Sequence, residues 1–283
     1  MILIADSGST KTDWALVDAS SAKTDTSSPV MFTQGINPFH QSRQSILQVL
    51  RDELLPQLDG ASVSSVKFYG SGVRPEMKPV MASMLREVFP QAETVEAHSD
   101  LLGAARALCG CKEGIACILG TGANSCLYDG QCVVQNTPAL GYILGDEGSG
   151  AVLGKRFLHD LYGGLLSKEI LLSFETETGL SLSEIISHVY RQPLANRFLA
   201  SLSVFIHHHL SDPTVRAVVI RNFEDFLRHH VRPYDRQDLP VSFVGSIAWH
   251  YQSELREASS SLGFSLGSVL QSPLPGLVSY HLS

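Results

Sequence analysis

Two glycine-containing turns, each placed between strand-like segments, limit the folds that this chain can adopt. The first turn spans residues 6–12 and follows an apolar segment at 2–5, and the second spans 120–122 and follows an apolar segment at 114–119. Strands that complete the two hairpins are predicted over residues 12–17 and 124–134. The repetition about a hundred residues apart predicts two related half-domains that face a shared phosphate.

The residues of both turns suit phosphate binding. Glycine lets backbone N–H groups approach an anion without an intervening Cβ atom. The hydroxyl groups of Ser9, Thr10 and Thr121 add hydrogen-bond donors for phosphate oxygens. Asp6, at the end of the first strand, can hold Mg²⁺ through the water shell that this ion retains. Together the turns predict a nucleotide-dependent phosphotransferase, although each turn alone is also compatible with an ordinary hairpin.

Composition and charge exclude several other classes of protein. Of the 283 residues, 44% are hydrophobic, which is enough for one large or two medium-sized domains. The net charge of −7 and the lack of a basic stripe argue against nucleic acid as a main partner. No apolar segment reaches membrane-spanning length and no signal peptide is recognised, so we expect a cytoplasmic protein.

The five cysteines and eleven histidines do not follow a metal-binding pattern. The cysteines include no paired Cys-x-x-Cys set, so we interpret them as reduced, mostly buried thiols, with an Fe–S or zinc site as the alternative. Adjacent histidines occur at residues 207–209 and 229–230. Because neighbouring residues of a helix point in different directions, we interpret both runs as parts of solvent-exposed faces.

Strand-like and helical segments alternate along the chain, which is typical of an α/β protein. In the first half we predict strands at 30–34, 65–70 and 94–97 and helices at 41–58, at 76–89 and from Asp100 onward. In the second half we predict helices at 149–165, 181–190, 193–210, 213–232 and 275–282 and strands at 241–246 and 264–270. We place an N-terminal domain at 1–110, onto which 272–283 packs back, and a C-terminal domain with a helical insertion at 111–271.

The first turn resembles a Walker A phosphate-binding loop only superficially. Lys11 and Thr12 follow a Ser/Gly-rich run, but the first glycine of the Walker spacing is missing. The residues after Thr12 are predicted to form a strand, whereas a Walker loop begins a helix. We therefore exclude a P-loop fold.

Asp100 is the strongest candidate for a catalytic group. It lies where the predicted strand at 94–97 gives way to a helix, and ligands of open α/β sheets gather at the carboxyl ends of strands. A carboxylate at that position can accept the proton of a hydroxyl group as its oxygen attacks phosphorus. Alternatively, Asp100 is the N-cap of the helix, and the two roles are compatible.

Three further segments carry candidate binding residues. Asn37 offers donors and an acceptor that suit a sugar hydroxyl, although Asn-Pro is also a common turn. Asp146 or Glu147 can contact substrate hydroxyl groups, or their glycine-rich segment is a loop with a helix cap. Small residues around Gly245 and Ser246 permit a flat adenine to lie close to the backbone.

The order of these motifs resembles the BadF/BadG/BcrA/BcrD ATPase-like family, and within it the N-acetylglucosamine kinases of the sugar kinase/Hsp70/actin superfamily. The motifs that carry the resemblance are Asp6 to Thr12, Asp100, Leu119 to Gly122, Gly141 to Ser149 and Val244 to Ala248. They span nearly the whole chain, and Gly-Asp-Glu-Gly-Ser at 145–149 is the most specific. The resemblance implies two ribonuclease H-like (actin-like ATPase) domains with ATP and Mg²⁺ in the cleft between them.

The resemblance also implies roles for individual residues. The ATP phosphates would be held by Gly8, Ser9, Thr10, Lys11, Gly120, Thr121 and Gly122. The sugar would be contacted by Asn37, Asp100, Ala139, Leu140, Gly141 and Asp146, with Asp100 as the base toward the 6-hydroxyl. The adenosine would lie near Ser211, Gly245, Ser246 and Ala248, and Asp6 would hold Mg²⁺ through water. Ser7 stands where the family usually has glycine, and its hydroxyl adds a donor.

The resulting hypothesis is an ATP-dependent kinase that phosphorylates N-acetylglucosamine or a related amino sugar at the 6-hydroxyl. A homodimer through the helical second domain is compatible with the sequence. Two alternatives stay open. One is a BadF-type ATPase that activates a dehydratase, although the cysteines lack an obvious arrangement for the Fe–S cluster that such activators need. The other is a non-catalytic sugar-binding regulator, which would bind the sugar without phosphorylating it.

Overall fold

The computed structural model describes residues 1–8, 10–18 and 30–283. These residues form two compact units. The first contains residues 1–112, 130–132 and 272–283, and the second contains residues 113–129 and 133–271. Within the described part of the chain, no helix is both long enough and apolar enough to cross a lipid bilayer.

The first unit is built on a five-stranded mixed sheet. Its strands are β1 (Ile2–Ser7), β2 (Lys11–Val17), β3 (Val30–Gln34), β4 (Ser65–Gly70) and β5 (Thr94–Ser99), in the order β3-β2-β1-β4-β5. β2 pairs antiparallel with β1 and β3, whereas β1, β4 and β5 run parallel. Since alternate residues face opposite sides of a sheet, Leu3 and Ala5 pack in one core cluster and Ile4 packs in another.

Helices of the first unit follow its third, fourth and fifth strands. They are α1 (Arg43–Gln48), α2 (Lys78–Val88) and α3 (Asp100–Cys109). α1 continues as a π-helical turn, Val49–Leu54, and a 3₁₀ turn, Leu55–Leu58, and another 3₁₀ turn, Pro75–Met77, leads into α2. The helical regions predicted at 41–58 and 76–89 are thus confirmed. Their buried residues, among them Ile46 and Met81, pack in the same cluster as Leu3.

The second unit repeats the strand arrangement of the first. Its strands are β6 (Gly114–Leu119), β7 (Ala123–Tyr128), β8 (Val133–Gln135), β9 (Val241–Val244) and β10 (Leu266–Leu270), in the order β10-β9-β6-β7-β8. β6 is antiparallel to β7 and parallel to β9, as β1 is to β2 and β4. The predicted α/β class and the relation between the two hairpins are therefore confirmed.

Helices make up most of the second unit. Between β8 and β9 lie α4 (Gly141–Leu144), α5 (Gly150–Tyr162), α6 (Lys168–Thr178), α7 (Leu182–Tyr190), α8 (Ala195–Ser201), α9 (Ser203–His208) and α10 (Pro213–Phe226). A π-helical turn, Leu227–Val231, and a 3₁₀ turn, Arg232–Tyr234, extend α10, and α11 (Ser246–His250) and α12 (Gln252–Ser261) follow β9. The rings of Phe157, Phe174 and Phe205 contact one another in the core, with centroids 5.2 to 5.7 Å apart.

The last helix, α13 (Leu274–His281), belongs to the first unit. Leu274, Leu277 and Val278 pack in the cluster that contains Ile4. Gly276 lies so close to α3 that a Cβ atom there would be 2.5 Å from the carbonyl oxygen of Ala107. The absence of a side chain at this position therefore lets α13 pack directly on α3.

Some predicted elements differ from the structure. The single strand predicted at 124–134 is wrong, because β7 and β8 are separate strands that residues 129–132 connect. No helix was predicted where α6 and α12 lie. The sequence of α12 is rich in serine and other polar residues, but Leu255 and Ala258 are completely buried in the core. Tertiary packing therefore decides the conformation of this segment rather than its own propensity.

Candidate active site

Polar residues of the first unit collect where three parallel strands end. Ser7, Gly70 and Ser99, the last residues of β1, β4 and β5, are in register across the sheet. Asp6 immediately precedes the end of β1, and Asp100 is the first residue after β5. This edge is where open α/β sheets bind their ligands.

Asp100 is half-buried and is held by two hydrogen bonds. Its Oδ1 accepts the N–H of Leu101 at 2.8 Å, and its Oδ2 accepts the hydroxyl of Ser71 at 3.0 Å. The N-cap of α3 is Ser99, whose hydroxyl oxygen accepts the N–H of Leu102 at 3.3 Å. The interpretation of Asp100 as the N-cap is therefore wrong. Burial raises the pKa of Asp100, and the hydrogen bonds from Ser71 and the backbone act in the opposite direction.

Asn37 lies beside the segment that orients Asp100. Its Oδ1 accepts the N–H of Phe39 at 3.0 Å. The side chain therefore stabilises a turn, which is the alternative to sugar binding that the Asn-Pro sequence indicated. Gly72 has a φ of +75°, and a Cβ atom there would be 2.0 Å from the same oxygen. Because Gly72 directly follows Ser71, the structure brings Asn37 and Asp100 into one neighbourhood.

Asp6 also has a shifted carboxyl group at this edge. Burial and the neighbouring carboxylates of Asp13 and Asp100 raise its pKa to about 7, against an opposing effect of Lys11. The Lys11 ammonium group lies 3.0 Å from Asp13, so it offsets only part of the repulsion that Asp13 and Asp100 exert on Asp6. A divalent cation would relieve the remaining repulsion, and Mg²⁺ needs only one or two carboxylates because it keeps several water ligands. The residues around Asp6 therefore fit Mg²⁺ held through water.

Ser7 is tied into the interior of the first unit. It is completely buried, and its hydroxyl contacts the Thr12 hydroxyl at 2.6 Å and donates to the Ile36 carbonyl at 3.0 Å. The same oxygen accepts the N–H of Ile36 at 2.9 Å. The expectation that Ser7 offers a donor to a ligand is wrong, because these internal bonds use its hydroxyl group.

The rest of the first turn is more exposed. The N–H of Gly8 donates to the carbonyl oxygen of Lys11 at 3.0 Å and closes the turn. Thr10 is exposed, and Lys11 begins β2 with 63% of its side chain exposed. Ser9 lies outside the described residues. Because a strand and not a helix follows this turn, the exclusion of a P-loop fold is confirmed.

The second turn is joined to the start of α5. The N–H of Gly120 donates to the carbonyl oxygen of Gly122 at 3.0 Å. The N–H groups of Gly150 and Ala151 donate to the carbonyl oxygens of Gly120 and Thr121 at 2.8 and 3.2 Å. The first N–H groups of a helix have no partner within it, and here two of them fix the turn.

Asp146 lies against the second turn. It is 8% exposed and has a φ of +59°, a conformation that residues other than glycine seldom adopt. A Cβ atom on Gly122 would be 3.0 Å from Oδ2 of Asp146, so the glycine leaves room for the carboxylate. Burial raises the pKa of Asp146, whereas hydrogen bonds from the N–H groups of Gly141 and Ala123 lower it. The structure thus brings a predicted phosphate-binding residue, Gly122, next to the predicted sugar-binding residues Asp146 and Gly141.

The other residues predicted to line the sugar pocket are exposed. Ala139 is exposed, and Leu140 is 59% exposed. Gly141 has a φ of +77° and is the first residue of α4. Its N–H group donates to Asp146, which connects this exposed segment to the carboxylate.

The residues predicted near the adenosine lie on two segments of the second unit. Gly245 has a φ of +123°, and a Cβ atom there would be 2.3 Å from the carbonyl oxygen of Leu119, at the end of β6. Ser246 is exposed at the start of α11, whereas Ala248 is completely buried and presents no surface to a nucleotide. Ser211 is exposed and precedes Asp212, the N-cap of α10.

The cysteines and histidines are only partly as predicted. Cys117 and Cys126 are buried, but Cys111 and Cys132 are exposed. Among residues 1–8, 10–18 and 30–283, no group of three or more His, Cys, Asp or Glu side chains could hold a metal ion. The interpretation of both histidine runs as solvent-exposed is wrong for His230, which is 4% exposed.

A solved structure relates the chain to a known family. A proposed N-acetylglucosamine kinase from Porphyromonas gingivalis is 48% identical to this chain and has a TM-score of 0.94, and the match covers 100% of this chain and 99% of that one. The chain belongs to the same family as this proposed N-acetylglucosamine kinase. No family model and no curated protein matches the chain.

Two more distant solved structures share the fold of this chain. A proposed N-acetylglucosamine kinase from Chromobacterium violaceum is 20% identical, with a TM-score of 0.70 and coverage of 99% of this chain and 98% of that one. A ROK family glucokinase from Streptomyces griseus, solved with glucose and AMPPNP, is 12% identical, with a TM-score of 0.58 and coverage of 99% and 97%. At these identities the likeness concerns the fold alone.

The sequence reasoning missed two features of the site. Ser71, which orients Asp100, lies between two glycines directly after a predicted strand. Its position at a strand end could have identified it as a candidate site residue. The hydrogen bond between Glu147 and His230 joins residues 83 positions apart. A single sequence carries no local signal for such a pair.

Proposed function

We propose that this chain is an ATP-dependent kinase that phosphorylates N-acetylglucosamine or a related amino sugar at the 6-hydroxyl, with Mg²⁺ as cofactor. The observation that carries the proposal is the 48% identity over the whole chain to the proposed N-acetylglucosamine kinase from Porphyromonas gingivalis. The position of Asp100 at the carboxyl edge of the first sheet supports it.

Asp100 is the proposed general base. Its carboxylate accepts the proton of the sugar 6-hydroxyl as that oxygen forms a bond to the γ-phosphorus of ATP. The bond from the γ-phosphorus to the bridging oxygen breaks, and ADP leaves with the electron pair. The hydrogen bonds from Ser71 and from the N–H of Leu101 orient the carboxylate, and its raised pKa makes it a stronger proton acceptor than an exposed aspartate.

The remaining site residues bind and orient the two substrates. Asn37, Ala139, Leu140, Gly141 and Asp146 are proposed to contact the sugar. Gly8, Ser9, Thr10, Lys11, Gly120, Thr121 and Gly122 are proposed to bind the phosphates, and Ser211, Gly245 and Ser246 the adenosine. Asp6 would hold Mg²⁺ through water, and the ion neutralises phosphate charge when bound. Ala248 is left out of this proposal because it is completely buried.

The proposal also includes a cytoplasmic location and a homodimer. Exposed apolar side chains on α6 and α7, among them Leu172 and Tyr190 with 64% and 77% exposure, are compatible with contact between two copies. Light scattering of the purified protein tests this part, and a monomer at micromolar concentration would exclude a stable dimer.

A substrate panel tests the proposed activity. Purified protein is given ATP and Mg²⁺ with N-acetylglucosamine, glucosamine, glucose, a muramic-type sugar and the 6-deoxy analogue of the best acceptor. We expect sugar-stimulated ADP release with an amino sugar, a phosphate ester at O6 by ³¹P NMR, and no stimulation by the 6-deoxy analogue. ADP release without any sugar would favour the dehydratase-activating ATPase. Sugar binding without ADP release would favour a regulator.

A further inference from the structure

Glu147 and His230 form a buried contact to which the proposed reaction assigns no role. The Nε2 atom of His230 lies 2.9 Å from Oε2 of Glu147, and the two side chains are 5% and 20% exposed. The other carboxylate oxygen of Glu147 lies 3.6 Å from Nδ1 of His229, which is too long for a hydrogen bond. Histidines therefore face both carboxylate oxygens, so Glu147 is not set up as a sugar ligand.

The backbone that carries His230 has an unusual conformation. The π-helical turn Leu227–Val231 follows α10, and the N–H of Arg232 donates to the carbonyl oxygen of Leu227. Such turns are rare and occur frequently at functional sites. The carbonyl oxygen of His230 accepts the hydroxyl groups of Ser125 and Thr137 at 2.9 and 3.0 Å. These two hydrogen bonds fix the backbone of His230 and thereby restrict the position of its imidazole ring.

The imidazole ring is also fixed by packing. It stacks on Phe226 with ring centroids 5.2 Å apart and an interplanar angle of 20°. The Nδ1 atom of His230 is buried and has no hydrogen-bond partner among the described residues. The polar contact of the ring is therefore the one to Glu147.

α10 also holds the residues that follow Glu147. Oδ1 of Asn222 accepts the N–H of Gly148 at 3.2 Å, and Nδ2 of Asn222 donates to the carbonyl oxygen of Ser149 at 3.3 Å. A Cβ atom on Gly148 would be 2.8 Å from Cβ of Phe226. α10 and its π-helical turn thus hold three consecutive residues, 147 to 149.

This support bears on Asp146, which directly precedes the three residues. A non-glycine residue with positive φ is strained, and it keeps that conformation only where its surroundings fix it. On one side the N–H of Ser149 donates to the carbonyl oxygen of Asp146 at 3.0 Å, and on the other Gly141 and Ala123 donate to its carboxylate. The contact with His230 fixes the adjoining residue.

We propose that Glu147 and His230 are a positioning pair, whose hydrogen bond keeps Asp146 in the left-handed conformation that sets its carboxylate beside Gly122 to bind the sugar. The inference rests on the proposed function, since it takes Asp146 to be a sugar ligand. The charged groups that face the pair are Asp146 and His229. Burial alone raises the pKa of Glu147, but the hydrogen bond from His230, the backbone and both histidines lower it overall, so Glu147 is a carboxylate at neutral pH.

The test compares substitutions of His230 with a matched substitution of its neighbour. His230→Leu removes the donor, His230→Gln keeps a side-chain N–H, and His229→Gln changes a residue whose side chain is 60% exposed. For each variant we measure kcat, KM for the sugar and for ATP, the heat of sugar binding without ATP, and the thermal unfolding midpoint.

We expect His230→Leu to raise the KM and Kd for the sugar about tenfold or more, as the loss of a charge-assisted hydrogen bond can. KM for ATP should stay within about twofold, because neither residue of the pair is among those proposed to bind the phosphates. His230→Gln should recover part of the sugar affinity, and His229→Gln should leave it unchanged.

Two results would overturn the inference. One is a folded His230→Leu variant whose sugar affinity equals that of the wild type. The other is an equal loss of sugar and ATP affinity without rescue by glutamine, which indicates only a structural role. Failure of the proposed function is distinguishable, because the wild type would then neither bind nor phosphorylate any sugar of the panel. Sugar binding without phosphorylation would contradict the proposed kinase activity. The sugar affinities of the variants would still test the role of the pair.

Discussion

The two units share one strand topology but differ in the chemistry at corresponding positions of their hairpins. In the first hairpin Asp6 faces Asp13, and in the second Ile118 faces Asn124, each pair one step before the last pair of its ladder. Carboxylates thus lie at the end of β1, whereas the equivalent place on β6 is neutral. In the second unit the proposed site carboxylate is that of Asp146, which lies in the long connection between β8 and β9.

This difference shows that a repeated fold need not repeat a function. In the first unit, burial and the carboxylates of Asp13 and Asp100 raise the pKa of Asp6, and this environment fits Mg²⁺ held through water. In the second, the turn is short, glycine-rich and fixed by the first N–H groups of α5, so it offers backbone rather than charge. We therefore expect substitutions in the first unit to affect the chemical step and those in the second to affect substrate affinity.

The largest expected effect is that of Asp100→Asn on turnover. Asparagine keeps the acceptor for the N–H of Leu101 but cannot take a proton, so kcat should fall about a hundredfold or more, the scale of a lost general base. Sugar affinity should change much less, because the amide can still contact a hydroxyl group. The measurement is steady-state kinetics with ATP, Mg²⁺ and the best acceptor of the panel.

Asp238→Asn is the matched control for this substitution. The side chain of Asp238 is 63% exposed, so its loss should leave kcat unchanged. Near-normal turnover of a folded Asp100→Asn variant would exclude Asp100 as the general base.

A somewhat smaller loss of turnover is expected for Asp6→Asn. If Asp6 holds Mg²⁺ through water, kcat at limiting Mg²⁺ should fall about 10- to 100-fold, as for other outer-shell partners of metals. Asp13→Asn should lower kcat at limiting Mg²⁺ by a smaller factor, because Asp13 is paired with Lys11. A Mg²⁺ titration of kcat separates these variants, and an unchanged Mg²⁺ requirement in Asp6→Asn contradicts the assignment.

The same substitution should change how stability depends on pH. The folded protein holds a proton on Asp6 up to a pH of about 7, whereas an unfolded aspartate loses it near 3.8. Between these values the folded state binds more protons, so wild-type stability falls as the pH rises through this range. Asp6→Asn should therefore unfold at a higher temperature than the wild type at pH 8 without Mg²⁺, and the difference should vanish at low pH.

Much of the first unit could be predicted from its sequence, because its elements are local. Short apolar runs within residues 2–5 and 12–17 indicate β1 and β2, and the position of Asp100 after a strand places it at the edge of the sheet. The N-cap was misassigned because Ser99 and Asp100 are both good capping residues. Only the observed bond from Leu102 to Ser99 decides between them.

The second unit was harder to predict because its site depends on contacts distant in sequence. The helix predicted at 213–232 ends at Phe226 and becomes a π-helical turn, which changes the direction in which His230 points. The left-handed conformation of Asp146 likewise depends on several segments. Arguments from hydrophobic periodicity assume regular helices, so they predict neither the π-helical turn at His230 nor the conformation of Asp146.

A smaller effect, confined to affinity, is expected for glycines of the second turn. Gly122→Ala places a Cβ atom 3.0 Å from Oδ2 of Asp146, so the carboxylate must shift. KM for the sugar should rise several-fold, with kcat nearly unchanged. At Gly120 a Cβ atom meets nothing within 4 Å, so Gly120→Ala should leave the KM for the sugar unchanged. Equal sugar affinity in both variants would show that Gly122 does not serve to accommodate Asp146.

The smallest effect on activity should come from Ser7→Ala, which removes a hydroxyl group buried in the first unit. The N–H of Ile36 then loses its acceptor, and a buried donor without a partner costs about 1–3 kcal/mol of stability. The Thr12 hydroxyl can still donate to the carbonyl oxygen of Gln34, at 3.1 Å, so the hairpin itself should survive. Thermal unfolding should shift downward by several degrees while kcat and both KM values stay within about twofold of the wild type. If Ser7 were instead a phosphate donor, KM for ATP would rise and the unfolding midpoint would hardly move. That result would mean that the first hairpin also binds phosphate through a side chain, which is the role predicted for Thr121 in the second hairpin. The chemical distinction between the two units would then rest on the aspartates alone.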